Sequence, residues 1–166
     1  MGADCHMYLE RWTNVENKNC PTLKSKSKIR DEKISEIFNE EIVNVYKWES
    51  FDDWFFDDSD ETWICFHFYE DRNYRLFAFL ADVRNGGCIE PLDYPRGIPQ
   101  DASDAYLWAC SSWEGSAHSH SWFLVSELLQ VDKKIWKELS AENFIEKIDS
   151  LGNEDEEIRI CFFFDN

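Results

Sequence analysis

The sequence predicts a single α+β domain, residues 1–166, built on a mainly antiparallel sheet with several helices, and three observations carry that expectation. Strand-like and helix-like segments are interspersed without the regular β-α-β rhythm that a parallel sheet requires. Of the 166 residues, 43% are hydrophobic and 16% aromatic, enough apolar surface for one sizeable core and too much for a disordered chain. No internal repeat is apparent, and no apolar run approaches the roughly 20 residues that cross a bilayer.

The elements follow in order. Residues 3–12 alternate as a strand does, with Asp4, His6, Tyr8 and Glu10 on one face and Cys5, Met7 and Leu9 on the other. One face is expected to pack and the other to carry polar groups. Residues 14–33 turn polar, with a Cys20-Pro21 break and a basic run from Lys24 to Arg30, and are expected to form a flexible excursion. A short helix over 34–42 and a strand over 43–48 come next. Acids and aromatics then alternate in small groups over 51–61, ahead of a strand over 63–69.

Asp71 is placed to cap a helix over 72–84, because a short side-chain acceptor satisfies the unpaired amides of a first turn. Its apolar set is Leu76, Phe77, Phe79, Leu80 and Val83, and the spacing puts the base of Arg84 on that stripe. Asn85-Gly86-Gly87 ends the helix, and residues 90–100 form a loop stiffened by Pro91, Pro95 and Pro99. Ser103 caps a second helix through 111. A turn at 114–116, a strand over 118–125, helices over 126–129 and 135–151, and a strongly apolar strand over 156–164 complete the chain.

Charge and cysteine usage narrow the function. Against 34 Asp and Glu stand 17 Lys and Arg, a net charge of −17 that opposes direct nucleic-acid binding, which rests on neutralising phosphates. The same charge serves solubility, or it imitates nucleic acid and makes the chain an acidic decoy for a basic host protein. The six cysteines, Cys5, Cys20, Cys65, Cys88, Cys110 and Cys161, are scattered with no C-x-x-C, so paired-cysteine zinc is excluded and reduced thiols in a cytoplasmic protein are expected. Nothing at the start reads as a signal peptide, and Gly2 is followed by His6 where a myristoylation signal wants Ser or Thr. Membrane association therefore has no support.

Three clusters carry potential chemistry. Asp4 and His6 on one strand, joined to His118 and His120 on another, offer up to four ligands for zinc or another divalent metal if the strands are neighbours. That set would make a metal-dependent phosphohydrolase acting on a nucleotide. The bland alternative is histidines that hydrogen-bond at a sheet end. Arg75, Arg84 and Arg96, if they converge, form a basic pocket able to grip phosphate bidentately, although each alone suits an ion pair with the abundant carboxylates. Tyr74, Tyr94 and Trp122 nearby could stack on a base or fill the core.

Four blocks resemble a family of small proteins of phages and prophage-bearing bacteria. They are Met1-Gly2-Ala3-Asp4-Cys5-His6-Met7-Tyr8-Leu9-Glu10, the segment from Arg72-Asn73-Tyr74 to Val83-Arg84-Asn85, Pro95-Arg96-Gly97-Ile98-Pro99, and Ala117-His118-Ser119-His120-Ser121-Trp122. They cover about a fifth of the chain in the family's order. The resemblance implies the cytoplasm of an infected bacterium, where small phage proteins often blunt host defence by holding nucleotide signals such as cyclic oligonucleotides or cyclic ADP-ribose isomers. The expectation is a binding protein that sequesters such a ligand without chemistry and without a required cofactor. In it Arg75, Arg84 and Arg96 meet phosphate, and His6 and His118 meet phosphate or ribose with Ser119 and His120 beside them. Tyr74 or Tyr94 stacks on the base, and Asp4 and Glu10 orient arginines or bind ribose hydroxyls. A strand-rich aromatic chain is also compatible with a homo-oligomer whose pocket lies between subunits.

Overall fold

The last strand of the chain is the centre of the fold. In the computed structural model, which describes residues 2–14, 46–50, 55–57, 62–64, 68–69, 71–151 and 158–165, the main sheet holds four strands. They are β1 (Asp4–Asn14), β2 (Tyr46–Ser50), β5 (His118–Leu124) and β6 (Ile158–Asp165), in the order β2-β1-β6-β5, with every neighbouring pair antiparallel. The first and last strands pair from Asp4 opposite Asp165 to Arg11 opposite Ile158. A separate two-stranded sheet joins β3 (Phe55–Asp57) to β4 (Thr62–Ile64). The α+β architecture anticipated from the sequence is the observed one.

Both faces of the main sheet are covered, which is why residues 158–164 of β6 are all buried and read as a nearly continuous apolar run. On one face Cys5, Met7 and Leu9 meet Ile160, Phe162 and Phe164 beneath α1 (Tyr74–Ala81), α3 (Val125–Leu129), α4 (Lys133–Glu138) and α5 (Glu142–Ser150). On the other, Tyr8, Cys161 and Phe163 pack under Ala105, Tyr106 and Ala109 of α2 (Asp104–Ser112). Each buried Phe of the Phe162-Phe163-Phe164 run contributes about 1.5–3 kcal/mol, split between the two faces by the period of two.

The alternation expected for the first strand holds, but the polar face is not open to solvent: His6, Tyr8 and Glu10 are buried under α2. The helix expected over 72–84 is shorter at both ends. Asn73, not Asp71, is its cap, its side-chain oxygen accepting from the Arg75 and Leu76 amides at 3.1 Å each. The helix stops at Ala81 because Asp82 turns left-handed (φ 58°), with its amide donating back to Ala78 at 2.9 Å. Arg84 therefore lies beyond the helix in a turn, left-handed (φ 58°) and exposed, and not on the apolar stripe.

The helix expected over 135–151 is two helices. Ser140, at φ 54°, breaks it, and Asn73 donates its side-chain N–H to the carbonyls of Leu139 (2.9 Å) and Ser140 (3.1 Å). One asparagine thus starts α1 and ties down the α4–α5 corner. Ser103 caps α2 as expected. Apart from Asn14, which ends β1, the excursion over 14–33 lies outside the described residues, as do the helix over 34–42 and most of the acidic segment over 51–61. Among the described residues no helix is long and apolar enough to cross a membrane.

Candidate functional site

The antiparallel order brings the start of β1, the end of β6 and the start of β5 to one end of the sheet, so Asp4, Asp165 and His118 are close in space despite their separation in sequence. Asp165 joins the group through two contacts: its Oδ1 accepts the Asp4 amide at 3.0 Å and its Oδ2 stands 3.4 Å from His6 Nε2. Asp4 is gripped by both edges of the Arg72 guanidinium, through Nε to Oδ1 and through Nη2 to Oδ2 at 2.6 Å. That bond holds the Asp4 carboxyl below its ordinary 3.8. The approach is close enough that a Cβ on Gly2 would stand 2.8 Å from an Arg72 nitrogen and 3.2 Å from the Tyr74 hydroxyl, so a side chain there would push the end of Arg72 aside.

His6 is sandwiched. Its ring lies 4.4 Å from Trp113 and 4.9 Å from Phe163, centroid to centroid. Phe163 also touches His120 at 5.2 Å. A continuous line of groups therefore runs from Trp113 through His6, Asp165 and Asp4 to Arg72 and Tyr74. Among them only His6 is buried: the Asp165 side chain is 16% accessible, that of Asp4 44% and that of Arg72 56%, with Trp113 at 37% and Tyr74 at 41%.

His118 and His120 do not share a face as the His-x-His spacing suggested. His118 pairs with Phe164 but Ser121 pairs with Phe162, so β5 carries one extra residue between them, and Ser119 takes a left-handed conformation (φ 53°). This β-bulge reverses the alternation. His118 stacks on Phe164 on the α1 side, while His120 lies over Phe163 on the α2 side, 3.7 Å from Cys110 Sγ. The Ser119 hydroxyl is 3.0 Å from His118 Nδ1. Burial, and then the neighbouring His118, hold His120 below its ordinary 6.5, so it is neutral at pH 7. Burial pushes the Cys110 thiol up to about 11.

The proposed metal set Asp4, His6, His118 and His120 is not assembled. β6 separates β1 from β5, the bulge divides the two β5 histidines, and Arg72 occupies Asp4. Among the described residues no three His, Cys, Asp or Glu side chains are gathered where they could hold one ion.

The three-arginine pocket is likewise not formed. Arg75 is exposed on the first turn of α1 and Arg84 lies past its far end, which for eight residues means about 12 Å of helix between them. Arg96 is consumed by carboxylates: Nε bonds Asp93 at 2.9 Å, and Nη1 and Nη2 bond the two Glu127 oxygens at 3.0 and 2.9 Å. Its guanidinium also lies 4.3 Å from Phe123 and 5.1 Å from Trp122. Tyr94, on the same loop, is 68% accessible.

Glu10 is no ligand group either. It is fully buried and its oxygens accept from Arg159 Nε (2.5 Å), the Ser103 amide (2.7 Å) and the Cys161 thiol (3.3 Å). Arg159, 2% accessible, continues to Asp101 at 2.8 Å and lies 4.0 Å over the Trp48 ring. Burial works against its charge, but Glu10, Cys161 and Asp101 together outweigh it and keep the guanidinium ionised. Asp4 and Glu10 do orient arginines, but Arg72 and Arg159 are the ones they hold.

Three members of the sheet-end site, Arg72, Trp113 and Asp165, escaped the sequence reading. Arg72 was hidden inside an overlong helix, and recognising Asn73 as the better cap would have left it in the connection ahead of α1. Asp165 reaches His6 through the pairing of the first and last strands and Trp113 through the packing of α2 on the sheet, neither of which a local pattern announces. Comparison with known proteins returns no matching family model, no matching curated protein and no matching solved structure.

Proposed function

We propose that this protein sequesters a small phosphate-bearing nucleotide, of cyclic nucleotide or ADP-ribose type, at the sheet end, in keeping with a counter-defence role in the cytoplasm of a phage-infected bacterium. The observation that carries the reading is the line from Trp113 through His6 and Asp4 to Arg72 and Tyr74, which sets exposed aromatic and guanidinium groups beside a buried histidine and two partly exposed carboxylates. Arg72, held in a fixed fork by Asp4, and the exposed Arg75 three residues on supply charge-assisted bonds to phosphate. Asp4 and Asp165 are acceptors suited to ribose hydroxyls. His118, partly exposed at the start of β5, is the histidine placed to meet phosphate or ribose in this reading.

Binding without chemistry is the reading favoured by the protonation states. Cys110 stays a thiol at neutral pH, and Asp4 is committed to an arginine, so neither is an activated nucleophile or base. The test is a thermal-shift screen against cyclic nucleotides, ADP-ribose derivatives and divalent metals, with recovery of any bound compound after denaturation. A binder at 100 times its Kd stabilises by about 2.7 kcal/mol. The expected result is a nucleotide that raises Tm, returns chemically intact, and no longer acts on Arg72→Ala. A ligand returned as product establishes a hydrolase instead, and the absence of any shift overturns the site and leaves an acidic decoy to pursue.

A further inference from the structure

We infer that Trp113 is the base-stacking platform of the sheet-end site, so that the site prefers a nucleobase-bearing phosphate over a sugar phosphate of the same charge; this rests on the reading just proposed. Trp113 follows α2 directly and its backbone is fixed on both sides. Its amide donates to Ala109 at 3.3 Å, and its carbonyl accepts from the amides of Ser116 (3.0 Å) and Ala117 (2.9 Å) and from the Ser116 hydroxyl (3.2 Å). The turn closes through Gly115 at φ 94°, a conformation that favours glycine.

The indole is supported from beneath. His6 lies 4.4 Å away, itself backed by Phe163 at 4.9 Å, and both are almost wholly buried while Trp113 is exposed. A large aromatic resting on a rigid aromatic base is already ordered, so a second ring laid on it forfeits little side-chain freedom. At its Nε2 edge His6 meets Asp165, and Asp165 and Asp4 lead on to the Arg72 guanidinium. A ligand with a planar base and a phosphate separated by a sugar matches that order of groups: aromatic, acceptor, cation. The aromatics singled out from the sequence differ: Tyr74 flanks Arg72 at the phosphate end, and Trp122 lies beneath two guanidiniums, 5.1 Å from that of Arg96 and 5.7 Å from that of Arg159.

The test uses two probes that share a phosphate and a ribose, adenosine 5′-monophosphate and ribose 5-phosphate, titrated calorimetrically into the full chain. Stacking on one aromatic side chain corresponds to roughly five- to hundredfold in affinity. The expected result is a preference of at least about tenfold for the nucleotide in the wild type. Trp113→Ala should reduce that preference to near unity with ribose 5-phosphate affinity unchanged, and Trp113→Phe should retain most of it. Equal affinities in the wild type, or a preference that survives Trp113→Ala, overturns the assignment while leaving the phosphate site standing. If neither probe binds, the site reading falls and the platform with it. Unchanged ribose 5-phosphate binding by Trp113→Ala also shows that the variant is folded.

Discussion

At the level of single residues, the buried charges dominate. Glu10 and Arg159 are almost inaccessible, yet each is satisfied: Glu10 by Arg159, Ser103 and Cys161, and Arg159 by Glu10 and Asp101. Removing one member of such a pair strands the other in a low-dielectric interior, at a cost of about 3–5 kcal/mol. Glu10→Ala should therefore lower the denaturant midpoint sharply. Asp101→Asn, whose side chain is 60% accessible, should cost no more than about 1 kcal/mol. Equal losses from the two substitutions, measured by equilibrium urea unfolding, would remove Glu10 from the centre of the network. The alternation of residues 3–12 correctly assigned Glu10 to the face of His6 and Tyr8. It could not show that this face is covered, because the helix that covers it starts some 90 residues later and is connected to Glu10 through the Ser103 amide, 2.7 Å away.

The secondary-structure elements were legible where their signals are local. Ser103 before a segment with two alanines, the glycine turn at 115 and the apolar run of β6 from Ile160 to Phe164 each announce themselves through capping, turn chemistry or composition. Positions set by a single backbone inversion did not. Asp82, Ser119 and Ser140 are left-handed without being glycine, so a helix end, a bulge and a helix break were all invisible in a reading that assigns such turns to Gly. Asn73 shows how one side chain can serve two elements, accepting from two α1 amides and donating to the carbonyls at the α4–α5 corner. Asn73→Ala loses both roles, and the capping part alone is worth about 1 kcal/mol. Asn73→Ser keeps an acceptor for the cap and loses the bridge, so it should destabilise by a smaller amount. The two are separated by their Tm values, and an alanine variant as stable as the serine one would show that the cap contributes nothing.

Across the whole molecule, acidity and stability are linked through the clamp that fastens the proline loop to α3. The hydrogen bonds from Arg96 hold Asp93 below its ordinary 3.8 and Glu127 below its ordinary 4.5. Carboxylates depressed in this way add stability above their unfolded pKa and lose it as pH falls through the folded value. The stability difference between the wild type and Arg96→Met should accordingly be steady at neutral pH and narrow below pH 4.5. A difference that stays constant down to pH 2.5 in chemical denaturation would mean that these pairs hold no net energy. His120 adds a second window with the same sign: its neutral form is favoured by burial, so stability declines as pH drops below 6.5. The same loop has a further effect. Gly97, left-handed at φ 82°, donates its amide to the His120 carbonyl at 2.8 Å, and the Arg96 amide reaches the Ser121 hydroxyl at 3.2 Å. These bonds occupy the outer rim of β5, the side on which a foreign strand would otherwise add itself. The Pro95-Arg96-Gly97 segment thus acts as a guard against strand-to-strand polymerisation, and in a cell crowded with newly made copies its loosening would show first as insoluble protein.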